Sequence, residues 1–319
     1  MKVLVIGLGS MGKRRIRLIK EIDNSIEIIG IDTNTDRSGE VKAEFDISTY
    51  NELKECMETE KPDAAFVCTS PLSHYGILNE LLEYDIYVFT ELNLVLDGYD
   101  RFINENKLFL SSTFLYRQDV RWIIDKVNGS RVNYIYHTGQ YLPDWHPWED
   151  YRNYFVGNKK SNGCREIMAI EFPWLIDAFG DIAEFHVYKD KISSLEVDYP
   201  DNYMLQLVHK NGSIGLVAVD VISRNATRNM EIFSENLHIT WDGRPDSLRD
   251  YNIENKSFES IKVYDDVQHR DGYSKNIIEN AYKAEIESFF DYISGNENAA
   301  LYSFRKDYRV LSLINEIEE

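Results

Sequence analysis

The chain has 319 residues, 43% apolar and 28% charged, which suits two domains with cores that need no disulfide support. No window approaches about 18 uninterrupted apolar residues, so no membrane-spanning helix is expected, and the composition excludes extended disorder and collagen-like repeats. Asp and Glu number 54 against 35 Lys and Arg, and the formal net charge of −19 repels phosphate backbones and anionic lipids, which sets nucleic acid and membranes aside as partners.

The acid excess reads as a solvated surface. It does not forbid a small anionic ligand at a helix N-terminus or a local Arg or Lys. The three cysteines, Cys56, Cys68 and Cys164, have no regular spacing and form no CxxC. An odd, irregular set is not a disulfide framework, so a reducing compartment is expected. The opening MKVLVIGLGSMGKRR has too short an apolar stretch for a signal peptide, and the cytoplasm is the expected location.

Lys2 to Ile6 is a short β-branched run that predicts a buried parallel strand. It feeds Gly7-Leu8-Gly9-Ser10-Met11-Gly12, a GxGxxG. Apolar Ile16, Leu18, Ile19 and Ile22 then mark a helix. A second strand, Ile26 to Ile31, ends at Asp32. Each part has a mechanical reason. Gly7 allows the tight turn, Gly9 lets the backbone approach a pyrophosphate, and Gly12 lets the helix pack closely. The helix N-terminus, at Ser10, Met11 and Gly12, offers amides to the phosphates. Asp32 would accept from the adenosine ribose hydroxyls and repel a 2′-phosphate. NAD is therefore expected over NADP, with Arg37 a few residues on as the group that could soften the preference.

The alternation continues with a helix over Tyr50 to Glu60 and a strand over Ala64 to Cys68. Thr69-Ser70-Pro71-Leu72-Ser73-His74 follows. A helix over Tyr75 to Leu82 leads to strands over Ile86 to Thr90 and Lys107 to Ser111, the first followed by Glu91-Leu92-Asn93. Strands alternating with helices imply an α/β Rossmann domain with a doubly wound parallel sheet. Ligands of such sheets sit outside the strands' carboxyl ends, which places the loops at Gly7, Asp32, Thr69 and Glu91 around one crevice.

From about Asp119 the pattern changes. A helix over Asp119 to Val127 precedes a strand over Val132 to Thr138. Tyr203 to His209 and Ser213 to Val221 are joined by Asn211-Gly212, which predicts a type I′ hairpin. Glu231 to Ser234 and Leu237 to Trp241 suggest a further pair. The boundaries are expected at 1–118 and 119–319, with the last helix able to pack back on the first domain.

The opening VIGLGSMG, the turn Cys68-Thr69-Ser70-Pro71-Leu72-Ser73-His74, the strand Val88-Phe89-Thr90-Glu91 and the closing Ala284-Glu285-Ile286-Glu287-Ser288-Phe289-Phe290 through Ile293-Ser294-Gly295 together resemble the Gfo/Idh/MocA family of oxidoreductases. The resemblance implies an NAD(P)-dependent dehydrogenase acting on a sugar, polyol or nucleotide-linked sugar. It also implies an α+β second domain with an open, mostly antiparallel sheet, which binds substrate on one face and forms a homodimer or homotetramer through the other. It places Thr69, Ser70, Pro71, His74, Glu91 and Asn93 with the cofactor, with His74 either near the nicotinamide ribose or used for packing. Two departures stand out. The family's E-K-P lysine falls on Leu92, which cannot move a proton, and Asn93 replaces the proline. The family's helical histidine falls on Ile170 or Glu171, and neither alignment yields its His/Asp pair.

Gly139 to Arg152 is dense in aromatic and polar groups, among them Tyr141, Trp145, His146, Trp148 and Tyr151. Aromatic faces stack on sugar rings, and carboxylates and Arg bind hydroxyls or anionic substituents. The tryptophans could equally belong to the core. Similar W-H-P loops occur in family members that serve surface-polysaccharide and acidic-sugar biosynthesis. With Leu92 unable to act, His146 has the intrinsic pKa suited to take or give the alcohol proton. Tyr141, Lys160, Glu166 and Glu171 are the other candidates. Glu171 in an otherwise apolar helix is expected to be exposed, paired with Arg165, or facing the substrate. No Cys/His spacing suits a metal, and there is no GxSxG or P-loop. The rival to an enzyme is a dinucleotide-binding sensor or partner subunit that has lost turnover.

Overall fold

The computed structural model describes residues 1–147, 149–270 and 276–319. The chain opens β1 (Lys2–Ile6), α1 (Ser10–Ile22), β2 (Glu27–Ile31), α2 (Thr35–Phe45), β3 (Ser48–Tyr50), α3 (Leu53–Glu60), β4 (Ala64–Val67), α4 (His74–Leu81), β5 (Tyr87–Thr90), α5 (Tyr99–Phe102) and β6 (Leu108–Leu110). Then come α6 (Gln118–Val127), β7 (Asn133–Gly139), α7 (Gly163–Phe179), β8 (Ile182–Asp190), β9 (Asn202–His209), β10 (Ile214–Asp220), β11 (Thr227–Ser234), β12 (Leu237–Trp241), β13 (Arg249–Asn252) and β14 (Ser257–Ser260). Two helices close the chain, α8 (Glu279–Ile293) and α9 (Phe304–Glu318).

Two compact units result. The first holds residues 1–113 and 282–311, the second 114–281 and 312–319. The first divides from the second after Thr113 rather than after residue 118, and it takes back the segment from Tyr282.

The first unit is built on a parallel sheet of order β3-β2-β1-β4-β5-β6, the doubly wound Rossmann arrangement. Its central strands are buried on both faces, as the run Val3, Leu4, Val5 with no exposure shows. Phe66 stacks on Phe89 at 4.8 Å and Phe89 on Phe109 at 5.4 Å, and Phe289 of α8 meets both Phe66 and Phe89 edge-on.

This core also holds a charge. Arg15 of α1 has no exposed side-chain surface, and its Nε donates to Glu91 Oε1 at 2.7 Å. Its Nη2 donates to Glu285 Oε2 at 2.7 Å. Glu285 also accepts from Ser111 Oγ at 2.9 Å and the Ser112 amide at 2.8 Å. Burial raises the Glu285 carboxyl, and Arg15 opposes that rise. A guanidinium with no water must be paired on every side, so α1, the end of β5, residues 111–113 and α8 are locked together through one cation.

The second unit is an eight-stranded sheet of order β14-β13-β12-β11-β7-β10-β9-β8. Every pair is antiparallel except β7 with β10. One face is covered by helix. Tyr134 of β7 stacks on Phe179 of α7 at 4.1 Å, and Trp174 packs edge-on against Tyr136 and Trp241. On the other face Ile135, Met204 and Leu216 stand about half exposed, at 46%, 56% and 51%.

The hairpin between β9 and β10 departs from expectation. Only Gly212 of the pair has positive φ, at +84°. The Gly212 amide donates to His209 C=O and the His209 amide to Ser213 C=O. This is a turn through Lys210 and Asn211 followed by a left-handed glycine, the three-residue alternative to type I′. Removing Glu285 should expose how much rests on the buried pair. Glu285→Ala leaves a dry guanidinium short of a partner and is expected to cost roughly 3–5 kcal/mol, read as a lower urea midpoint; an unchanged midpoint would contradict the role given to Arg15.

Candidate functional site

The glycine turn after β1 is shaped by three close approaches. Gly7 has φ +91° and donates its amide to Ile31 C=O at 2.8 Å. A Cβ there would lie 2.9 Å from the Cys68 carbonyl and from Thr69 Cγ2. At Gly12 a Cβ would fall 1.9 Å from Gly7 O, and Val5 Cγ1 is the next side chain, at 3.6 Å. Gly12 therefore lets the first turn of α1 close on the glycine turn itself. Around Gly9, by contrast, a Cβ would meet nothing within 4 Å. The space is open where a pyrophosphate needs it. Beside it stand the first-turn amides of α1, at Ser10, Met11 and Gly12, at the positive end of the helix dipole. Asp32, at the end of β2, is buried. It accepts from the Leu8 amide at 2.8 Å and the Asn34 amide at 2.9 Å, which fixes the carboxylate against the turn. Arg37 is exposed on α2. A group with a diphosphate and a ribose fits this cradle.

The loops after β4 and β5 carry the remaining positions. Pro71 is buried at the start of a short 3₁₀ turn, and Ser73 Oγ donates to Thr69 Oγ1 at 3.1 Å. Ser70 is exposed and Thr69 half-buried. His74 takes the packing role of the two that the resemblance allows, and the Asn93 side chain turns inward with it. His74 is 2% exposed, with Nδ1 2.6 Å from Asn93 Oδ1 and Nε2 3.1 Å from Thr69 O. Asn93 Nδ2 donates to Tyr99 Oη, which donates to Asp307, and Tyr302 Oη donates to the same carboxylate. Both side chains are spent within the fold, so they buttress the loops from behind. Burial lowers the His74 pKa. Glu91 likewise is engaged by Arg15, with 13% of its side chain exposed. Leu92 is half-buried.

In the second unit, residues 139–162 form a run of short turns. They border an open groove of about 670 Å³ lined by Tyr141, Pro147, Glu149, Tyr151, Arg152 and Glu196 among others. Arg152 is held by Asp150, Nε to Oδ1 at 2.9 Å, and by Glu196. The Arg224 guanidinium lies 3.6 Å over the Tyr141 ring. Trp145 is half-buried and donates to Gln140 C=O; Trp148 lies outside the described residues. His146 stacks on Tyr154 at 4.8 Å, with Nδ1 3.9 Å from Glu149 Oε2. Burial lowers its pKa, and Glu149 works against that. Lys160 is exposed.

Asn162 caps α7 by accepting from the Arg165 amide at 2.8 Å, and Glu166 stands in the first turn. Its Oε2 is buried without a hydrogen-bond partner among the described residues, as is Tyr154 Oη. Burial pushes the Glu166 carboxyl up to about 8.

Glu171 corrects an expectation. It is fully buried and its partner is Arg228, Nε to Oε1 at 2.8 Å, not Arg165. Tyr136 Oη and Trp174 Nε1 each donate to Oε2 at 2.7 Å, and Thr138 Oγ1 to Oε1 at 3.5 Å. With four donors on two oxygens, this carboxylate positions its neighbours and has no lone pair open for proton transfer. Arg165 instead meets Glu318 and Asn315. Arg228 escaped the sequence reading, yet a signal existed. Arg228, Met230 and Ile232 share one parity on β11, so the arginine points with two buried residues and must find a carboxylate. Arg15 is the same case on α1, beside Gly12, Ile16 and Ile19.

Residues 1–96 match the family model described as oxidoreductase family, NAD-binding Rossmann fold, GFO_IDH_MocA. Solved structures share the fold of the whole chain. Levoglucosan dehydrogenase in complex with NADH has 15% identity, covers 100% of this chain and 95% of its own, and gives a TM-score of 0.79. UDP-N-acetylglucosamine 3-dehydrogenase GnnA from Acidithiobacillus ferrooxidans has 16% identity, covers 100% and 96%, and gives 0.77. The WlbA dehydrogenase from Bordetella pertussis, in complex with NADH and UDP-GlcNAcA, has 12% identity, covers 99% and 95%, and gives 0.75. At these identities the likeness is one of fold. The search of curated proteins found no match. Among the described residues no helix is long and apolar enough to cross a membrane, and no cluster of three His, Cys, Asp or Glu could hold a metal.

The Glu166 carboxyl gives a pH test. Its folded pKa, near 8, lies above the ordinary 4.5, so its contribution to stability is full below pH 4.5 and is lost as pH rises through 8. Glu166→Gln removes that slope. The two proteins should melt alike at acid pH, and at alkaline pH the Gln variant should be the more stable by about 1–3 kcal/mol. Parallel melting curves across that window would place Glu166 in contact with water.

Proposed function

We propose that the chain is an NAD-dependent oxidoreductase that moves a hydride to or from a hydroxyl-bearing carbon of a sugar, polyol or nucleotide-linked sugar. The observation that carries the reading is the glycine turn: Gly7 and Gly12 admit no side chain, while the space around Gly9 is open. The family match and the NADH and sugar-nucleotide complexes of the fold relatives support it.

Bound NAD would supply the hydride acceptor. The amides of Ser10, Met11 and Gly12 hold its diphosphate, and Asp32 accepts from the ribose and disfavours a 2′-phosphate. Thr69, Ser70 and Pro71 shape the loop toward the nicotinamide end. Removal of a hydride from an alcohol carbon leaves a proton for a base near neutral pH. His146 takes that proton. Its imidazole is half-exposed beside Tyr154, and burial favours the neutral, accepting form. Tyr141 and Glu166 are the other candidates to serve substrate.

A homodimer through the open face of the second sheet accounts for the exposed Ile135, Met204 and Leu216 and for Tyr188, 73% exposed. The buried free thiols of Cys56, Cys68 and Cys164 suit the reducing cytoplasm.

Leu92 favours a second reading, a dinucleotide-binding sensor or partner subunit without turnover. The experiment follows reduced-nicotinamide absorbance with NAD or NADH and a panel of sugars, polyols and sugar nucleotides. Turnover is expected with at least one. His146→Ala should then lower kcat roughly 100-fold or more while NADH affinity holds. Full activity in that variant would refute the proton role, and binding without any turnover would favour the sensor.

A further inference from the structure

Arg228 has an edge with nothing to hold. Its Nε is committed to Glu171 Oε1 at 2.8 Å. Its two Nη groups have no hydrogen-bond partner among the described residues, and a fifth of the side chain reaches the surface. The guanidinium is nonetheless fixed. Its stem passes over Gly243, where φ is +84° and a Cβ would lie 2.7 Å from Arg228 Cβ. Its plane lies 4.9 Å from the centre of the Phe114 ring. On the sheet, Arg228 is paired with Thr138 of β7.

The surrounding groups cannot turn to satisfy it. Glu171 is saturated by Tyr136, Trp174, Thr138 and Arg228 itself. Asp119, the other buried carboxylate nearby, is taken by Arg117 on both oxygens, at 2.9 and 2.6 Å, and by Trp241 and Tyr264. Arg117 also donates to Asn276 C=O and Gly243 C=O, so four of its five N–H groups are met. The contrast is chemical. Arg117 is bonded through all three of its nitrogens, whereas Arg228 is bonded through Nε alone among the described residues. The Nη edge is open to water at the surface and can exchange that water for a ligand. The natural complement of that edge is a pair of anionic oxygens, bound bidentately.

We propose that the Nη edge of Arg228 binds an anionic group of the ligand, a carboxylate or a phosphate, and that Glu171 is the positioning residue that aims it. That the ligand is the oxidoreductase's own sugar substrate rests on the function proposed above; the anion site stands on the geometry of Arg228. The substrate class narrows accordingly to sugars that carry a uronate or a phosphate.

The probes are D-glucuronate, D-glucose 6-phosphate and neutral D-glucose, titrated by calorimetry into the full chain, its Arg228→Gln and Arg228→Lys variants, and the double variant R228M/E171Q. Circular dichroism confirms folding, and an NADH titration runs alongside. The wild type should bind at least one anionic sugar roughly tenfold or more tighter than glucose. A preference for glucuronate assigns a carboxylate, and one for glucose 6-phosphate a phosphate. All three variants should lose that preference, with glucose and NADH binding unchanged. Arg228→Lys keeps a cation beside Glu171 without the fork, so it decides the matter if Arg228→Gln misfolds, and R228M/E171Q removes the buried charge altogether. No anionic preference in the wild type, or a preference that survives in a folded variant, overturns the proposal. Arg228-dependent anion binding without NADH binding would leave the anion site standing and sink the oxidoreductase reading instead.

Discussion

A guanidinium without water dictates much of the first unit. Arg15 has no exposed surface, so its charge must be met by Glu91 and Glu285 at fixed distances, and those carboxylates in turn recruit Ser111 and Ser112. Burial alone would lower the Arg15 pKa, and the two carboxylates outweigh it. α1, the end of β5, the segment after β6 and α8 are thus held by ionic geometry where apolar packing would leave them free to slide. The second unit repeats the device with Arg117 on Asp119 and Arg228 on Glu171. Pairs of this kind add little net stability over an apolar core, but breaking one is severe. Their effect is to fix where loops lie.

That constraint explains which parts of the molecule were legible in its sequence. β1, α1 and β2 follow from hydrophobic period and glycine placement, because the steric demands at Gly7 and Gly12 admit no other residue. β3 and α2 were not read. β3 has three residues, and α2 buries only Ser38 and Val41, so neither offers enough apolar positions to show a period. The β9–β10 hairpin was visible, but its turn type was not: Asn-Gly fits more than one turn, and only the positive φ of Gly212 decides it.

The candidate site divides along the same line. Backbone-defined positions, Gly7, Gly9, Gly12 and Asp32, could be argued from local rules. Side chains whose roles depend on distant partners could not. Asn93 stands with the cofactor in the family resemblance, and its side chain links His74 to Tyr99 and so to Asp307. Glu171 looks like a poised base and proves to be the anchor of Arg228, a residue 57 positions on. A polar side chain at an inward position says that a partner exists, and only the fold says which.

The account stands on a backbone cradle that accepts a dinucleotide. Its most direct measurement is a titration of the full chain with NADH, followed by calorimetry, beside Gly9→Val, whose Cβ enters open space. One saturable site per chain is expected, displaced by NAD, weaker for NADPH, and lost in the variant with its melting temperature preserved. An absence of binding at millimolar NADH, or equal binding by Gly9→Val, would contradict it.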